Sequence, residues 1–169
     1  MLFADVRGYT RLTEQLDPAE VPAFLSRLYE TASEALLAYD ALLGQIEGDN
    51  VMALFVPGLA GRDYKAKAVE GARSLLATVG ASELGLDVGV GVASGEEFIG
   101  NVGGGGYKDF TAVGDVTNLA ARLTAAADAG EILVDVETYT AVATTYPAPE
   151  TRLLDLKGKR APVGVAVIR

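Results

Sequence analysis

The sequence predicts an α+β domain in which one largely antiparallel sheet carries its helices packed on one face. Three observations lead there. Long stretches repeat apolar residues at three- and four-residue steps, and short strand-like runs lie between them, several joined by turn-forming residues. The third is size: 169 residues, 50% hydrophobic with mean hydropathy +0.25, suit one domain over 1–169 with one core.

Each element follows in order. Met1–Val6 is a short apolar run broken by one acid and closed by Gly8, a strand ending in a loop with Asp5 near its end. Asp17-Pro18-Ala19-Glu20 gives a cap residue, a proline and an early acid, so a helix is expected to follow. Its apolar stripe runs through Phe24, Leu25, Leu28, Ala32, Ala35, Leu36, Tyr39 and Leu43, with Gly44 as the stop. Gln45 to Val56 reads as a hairpin with Asp49 at its tip, and 57–62 as a loop. A second helix is expected from Asp63 to Gly80. Leu86–Ala93 and Phe98–Val102 are strand-like and are expected to pair as a hairpin. The glycines at 89 and 91 would let a helix or another backbone approach closely.

Gly103–Gly106 is read as a loop tip, because no Lys-Ser or Lys-Thr follows to make it a phosphate cradle. Phe110–Val113 is a strand, Thr117–Ala127 a helix, Ile132–Val134 a strand and Glu137–Ala143 a short helix. Two last strands, Arg152–Leu156 and Val163–Ile168, flank a basic hairpin loop over 157–162. Hairpins mixed with helices of this length make ferredoxin-like topology the natural candidate.

Composition removes whole classes of chemistry. With no cysteine and no histidine, disulfides, thiolate or imidazole zinc sites, cysteine nucleophiles and Ser-His-Asp triads are excluded. A net charge of -9 is the wrong sign for a nucleic-acid binder. Carboxylates favour hard ions such as magnesium and manganese. The chain opens with no signal-like segment and contains no apolar run of membrane-spanning length, so a cytoplasmic domain without membrane contact is expected.

Asp5 and Asp49 stand out as acids at ends of structure beside apolar strands. If their strands are neighbours, both carboxylates meet at one edge, where they can share a pair of divalent cations for phosphoryl transfer. Spacing alone favours the simpler reading, in which Asp5 caps the next helix and Asp49 merely forms its turn.

Further blocks decide between these. Phe3-Ala4-Asp5-Val6-Arg7-Gly8-Tyr9-Thr10, Gly48-Asp49 leading into Met52-Ala53-Leu54-Phe55, Gly100-Asn101-Val102-Gly103, and the run from Phe110 to Leu123 with Asn118 and Arg122 follow in order. Together they resemble the signature blocks of class III adenylyl/guanylyl cyclases, over nearly the whole chain. The resemblance implies a homodimer with shared active sites that converts a nucleoside triphosphate to its 3',5'-cyclic monophosphate and pyrophosphate. It implies two Mg2+ or Mn2+ ions held by Asp5, Asp49 and the backbone of Val6. Backbone amides of Gly8, Tyr9 and Thr10 would bind phosphates, Asn118 would orient the ribose, and Arg122 would stabilise charge at the α-phosphate, the last two supplied by the partner subunit. Lys157, or else Lys159, would meet the terminal phosphates.

The residues support this in their own terms: Asn118 and Arg122 are four apart on a predicted helix and project from one face. As an isolated pair they would read more simply as an early-turn residue and a solvated charge. One departure concerns the base. Gln45 stands where typical adenylyl cyclases carry an adenine-reading lysine, and Thr111 replaces the companion aspartate. A glutamine amide both donates and accepts, so weaker and less selective ATP use with some GTP conversion is expected. Gln45 also leaves open an alternative, a dimerising, nucleotide-binding regulatory module with little turnover. Gly95-Glu96-Glu97-Phe98 resembles part of the diguanylate cyclase signature, but Ser94 replaces its first glycine and the acids read as turn residues.

Overall fold

The computed structural model describes residues 1–159 and 161–169, leaving aside the side chains of residues 45–47 and 107. Its elements are β1 (Leu2–Val6), α1 (Tyr9–Thr13), α2 (Val21–Leu37), β2 (Leu42–Glu47), β3 (Asn50–Leu54), α3 (Pro57–Ala60) and α4 (Tyr64–Ala81). There follow β4 (Val88–Val92), β5 (Phe98–Gly104), β6 (Tyr107–Val113), α5 (Asp115–Ala126), β7 (Ile132–Asp135), α6 (Val136–Val142), β8 (Glu150–Leu154) and β9 (Val163–Ile168).

Seven strands form one sheet in the order β2-β3-β1-β4-β7-β9-β8, and β5 and β6 form a separate ribbon. Every pair in the large sheet is antiparallel except β4 with β7. The expected α+β class therefore holds. Strand alternation decides what each face meets. In β4, Val88, Val90 and Val92 point into the main core with Leu2, Ala4 and Val6 of β1, against Leu28 and Leu36 of α2 and Val69, Leu75 and Val79 of α4. The intervening Gly89 and Gly91 open the opposite face: a Cβ at 91 would collide with the α5 backbone at Ala120 and Thr124. The close approach expected at these glycines is thus made by α5. The one-face arrangement describes α2 and α4, while α5 covers the other side through Ala120 and Leu123.

Several expected boundaries shift. The helix expected to run to Leu43 ends at Leu37; Asp40, at a left-handed φ of 60°, turns the chain, and Leu43 pairs with Ala53 in the sheet. A period of three and four residues cannot separate a continuing helix from a strand that happens to match it. Short helices α1 and α3 lie where loops were expected. The expected β4–β5 hairpin does not form: β1 and β7 occupy both edges of β4, and β5 pairs instead with β6. In that ribbon Gly103 and Gly104 are strand residues, and the turn is left to Gly105, at φ 65°, and Gly106.

Candidate active site

β1 and β3 are adjacent, and their register sets Asp5 opposite Asn50, one residue from Asp49 in the β2–β3 turn. The turn is held from behind by α2, where the Tyr29 hydroxyl donates to the Gly48 carbonyl at 2.6 Å. Gly48, at φ 59°, makes the bend. Asp5 and Asp49 therefore meet as the sequence predicted. Burial, then the hydrogen bond and charge of Asp5, push the Asp49 carboxyl up to about 6. Two carboxylates facing each other are short of positive charge. The cation at hand is Arg7, whose Nη1 donates to Asp5 Oδ2 at 3.1 Å.

Among the described residues no group of three Asp, Glu, His or Cys side chains could cage a metal ion. Two carboxylates with a nearby main-chain carbonyl at Val6 instead match the donor set of magnesium or manganese that completes its shell with phosphate and water. Gly8, at φ 76°, turns the chain out of β1 into α1, so the amides that open this helix have no acceptor inside it.

The other predicted residues gather elsewhere. Asn118 is exposed on α5 and Arg122 half-buried. The Arg122 guanidinium lies beside Gly158 of the β8–β9 loop, where a Cβ would sit 3.3 Å from Nη2. Lys159 Nζ donates to Asp115 Oδ2, at the start of the same helix, at 2.7 Å, and this pairing lowers the Asp115 pKa. Lys157 is exposed. Arg122 and Lys159 thus sit together at α5, with Lys157 exposed in the same β8–β9 loop.

The lysine-bearing loop is remote from the aspartates. β4 and β7 separate β1 from β9, three strand spacings or about 14 Å. The pairings Leu2 with Val92, Val92 with Val134 and Asp135 with Val165 also put the β8–β9 loop at the Leu2 end of the sheet, opposite Asp5. Two open grooves of about 550 and 470 Å³ are lined by other residues, such as Phe55, Tyr64 and Glu97 in one and Tyr139 and Leu153 in the other. Thr111 is half-buried in β6, next to Ala112, which clusters with Leu42 of β2. The side chain of Gln45 lies outside the described residues.

Three positions have roles that the sequence did not assign. Arg7 bridges Asp5 and the carbonyl of Thr124. Thr124, almost fully buried, donates its hydroxyl to the Phe3 carbonyl at 3.0 Å and so fixes α5 to β1. Glu97, expected to be a turn acid, holds the first turn of α5 through Thr117. The first carried a signal, a cation two residues from an acid at a strand end; the others depend on tertiary neighbours.

Comparison with known proteins bears on this arrangement. The family described as the adenylate and guanylate cyclase catalytic domain matches residues 1–167. "Adenylate cyclase 1" of Rhizobium meliloti is 29% identical over 132 residues, 72% of this chain; the chain spans 20% of that relative's length. The adenylyl cyclase CyaB from P. aeruginosa superposes with a TM-score of 0.85 at 27% identity, covering 99% of this chain and 92% of the other. The guanylyl cyclase Cya2 shares the fold at a TM-score of 0.87 and 24% identity, over 98% and 88%.

Proposed function

The chain belongs to the adenylate and guanylate cyclase catalytic-domain family, and from that premise we propose that it works as a homodimer converting ATP, and to a lesser extent GTP, to the 3',5'-cyclic monophosphate. In that reaction the ribose 3'-oxygen bonds to the α-phosphorus, the bond to the pyrophosphate oxygen breaks, and the 3'-hydroxyl proton is lost. The observation that carries the reading is the placement just described: the aspartates lie at one end of β1 and the lysine-bearing β8–β9 loop at the other end of the sheet, which supports a site completed by a second copy of the chain. A two-fold dimer brings unlike ends together twice.

In this reading Asp5, Asp49 and the Val6 carbonyl of one subunit hold two Mg2+ or Mn2+ ions, which when bound supply Lewis acidity toward the 3'-hydroxyl and the triphosphate. The amides of Gly8, Tyr9 and Thr10 face the β- and γ-phosphates. From the partner comes Asn118, to orient the ribose. Arg122 opposes the charge that develops on the α-phosphate, its fixed fork suiting phosphate geometry. Lys157 or Lys159 meets the terminal phosphates, and Gln45 with Thr111 meets the base. The reading assigns this chain no membrane contact, no nucleic-acid partner and a cytoplasmic setting.

The test is complementation. Asp49→Ala and Arg122→Ala variants are each expected to be inactive with ATP and manganese. Mixed, half of the dimers pair unlike chains and each of those has one intact site, so about a quarter of the activity should return. A mixture as inactive as its parts refutes the shared site. An unsubstituted domain that binds nucleotide without forming cyclic product establishes the regulatory alternative instead.

A further inference from the structure

Building on the shared-site reading, we propose that Arg7 is a positioning residue linking the two active sites of the dimer: through it, the engagement of Asp5 in one site sets the seating of α5, whose Asn118 and Arg122 serve the other. The link lies within one chain. Arg7 Nη1 donates to Asp5 Oδ2 at 3.1 Å, and Nη2 donates to the main-chain carbonyl of Thr124 in the last turn of α5. That carbonyl lies at the negative end of the helix, where a cation is favoured. Arg122 is two residues away and so on nearly the opposite side of the helix from Thr124. The face that Arg7 grips is turned to the sheet, and the side chains offered to the partner's substrate project from elsewhere on the helix.

An exposed arginine–aspartate pair would carry no such inference, since its net worth is small. Here the sequence has built a seat. Gly89 on β4 lies under the guanidinium, and any Cβ there would overlap it. The Arg7 side chain is only 25% exposed, and its Nε is buried without a hydrogen-bond partner. A rigid planar fork can hold two acceptors at once, which a lysine ammonium on a flexible stem does less well. A divalent cation that engages Asp5 competes with Arg7 for the same carboxylate. The guanidinium then bears more fully on Thr124, and α5 is the element that responds.

Mixed dimers separate this role from a local one. In a dimer of an Asp49→Ala chain with an Arg122→Ala chain, the Arg122→Ala chain supplies the aspartates of the single intact site and the Asp49→Ala chain supplies its α5. Arg7→Ala placed only in the Asp49→Ala chain, the helix donor, is expected to lower kcat about tenfold with the manganese dependence of that site unchanged, within the roughly hundredfold that a 1 Å misplacement can cost. Arg7→Lys in the same chain should fall similarly while leaving thermal stability near that of the parent, which excludes simple misfolding.

Manganese binding gives the readout besides activity. By electron paramagnetic resonance of free Mn2+, homodimeric Arg7→Ala should bind the ion several-fold more tightly, because a competing positive charge is gone, and Arg7→Lys should stay close to the unsubstituted protein. A loss of kcat confined to mixed dimers that carry the substitution in the aspartate donor overturns the link, as does unchanged Mn2+ affinity in Arg7→Ala. Absence of complementation between chains that retain Arg7 would instead remove the shared-site reading itself.

Discussion

Glu97 Oε2 accepts both the backbone N–H of Thr117 at 2.9 Å and its hydroxyl at 2.7 Å, so the residue preceding β5 caps the first turn of α5. Gly114 makes room for this, since a Cβ there would press on Glu97. The cap acts one residue from Asn118. Replacing Glu97 by alanine removes a cap of the kind worth about 1 kcal/mol. The melting temperature should fall accordingly, and kcat should fall further than that stability loss explains, with KM for the nucleotide less affected. Glutamine, which keeps an acceptor, should recover most of both.

The raised Asp49 carboxyl gives a pH dependence of definite sign. In the metal-free protein its pKa is about 6, against an ordinary value of 3.8, so between those pH values the folded state holds more protons than the unfolded one. The contribution of this group to stability is full at low pH and is lost as pH rises through about 6. Metal-free protein should therefore gain in melting temperature on acidification from pH 7 to 5.5, and Asp49→Asn should flatten that gain. The same proton competes with the cation. Mn2+ affinity should weaken by about tenfold per pH unit below 6, as for a ligand that must lose one proton to bind.

What could be read from sequence divides along the range of the interactions involved. Asp5 and Asp49 were legible because each sits at a strand end or turn marked by local chemistry, and adjacency of β1 and β3 then brings them together. The Val-Gly-Val-Gly-Val run of β4 was legible as a close approach, though not which helix makes it. Leu43 was misplaced because its spacing fits a helix, while its pairing with Ala53 is decided 10 residues away. The partners of Arg7 and Glu97 lie 117 and 20 residues distant, beyond any periodicity.

Glu131 anchors the far edge of the sheet and provides a control remote from the chemistry. It is 4% exposed, accepts two hydrogen bonds from Arg152 at 2.8 and 2.7 Å and a third from Arg169, and its carboxyl is held down to about 2, chiefly by Arg152. With the folded pKa below the ordinary 4.5, its contribution is complete above that pH and is lost as pH falls toward 2. Because Arg152 keeps Glu150, Glu131→Gln should cost at or just below the low end of the roughly 3–5 kcal/mol typical of a broken buried pair. Denaturant titration should show that loss at pH 7 and a smaller one at pH 3, with kcat/KM at neutral pH unchanged below the melting temperature.

The two lysines of the β8–β9 loop should separate by their partners. Lys159 is committed to Asp115 at 2.7 Å, whereas Lys157 is exposed on the other side of Gly158. A lysine free to reach the terminal phosphates adds to binding of the ground state and transition state alike, and its loss appears in KM. Lys157→Ala should raise KM for ATP several-fold with little change in kcat. Lys159→Ala should instead disturb the start of α5 and lower kcat. Steady-state kinetics of both variants reads the difference directly, and the reverse pattern would reassign the phosphate contact to Lys159.

Base selection turns on position 45. A glutamine amide can present its oxygen or its nitrogen to a purine edge, whereas a lysine presents donors only and carries a charge that asks for an acceptor on the base. The unsubstituted domain should accordingly convert both ATP and GTP, with a modest preference for ATP. Gln45→Lys together with Thr111→Asp places a donor and an anchoring carboxylate at the two base positions, and should raise the ratio of kcat/KM for ATP over GTP. A bidentate contact of this kind discriminates by roughly 10- to 100-fold when the rejected base leaves a buried polar group unpaired. Chromatography of the cyclic products formed from an equimolar ATP and GTP mixture measures the ratio in one reaction. An unchanged ratio in the double variant, or strict ATP use by the parent, would show that other residues read the base.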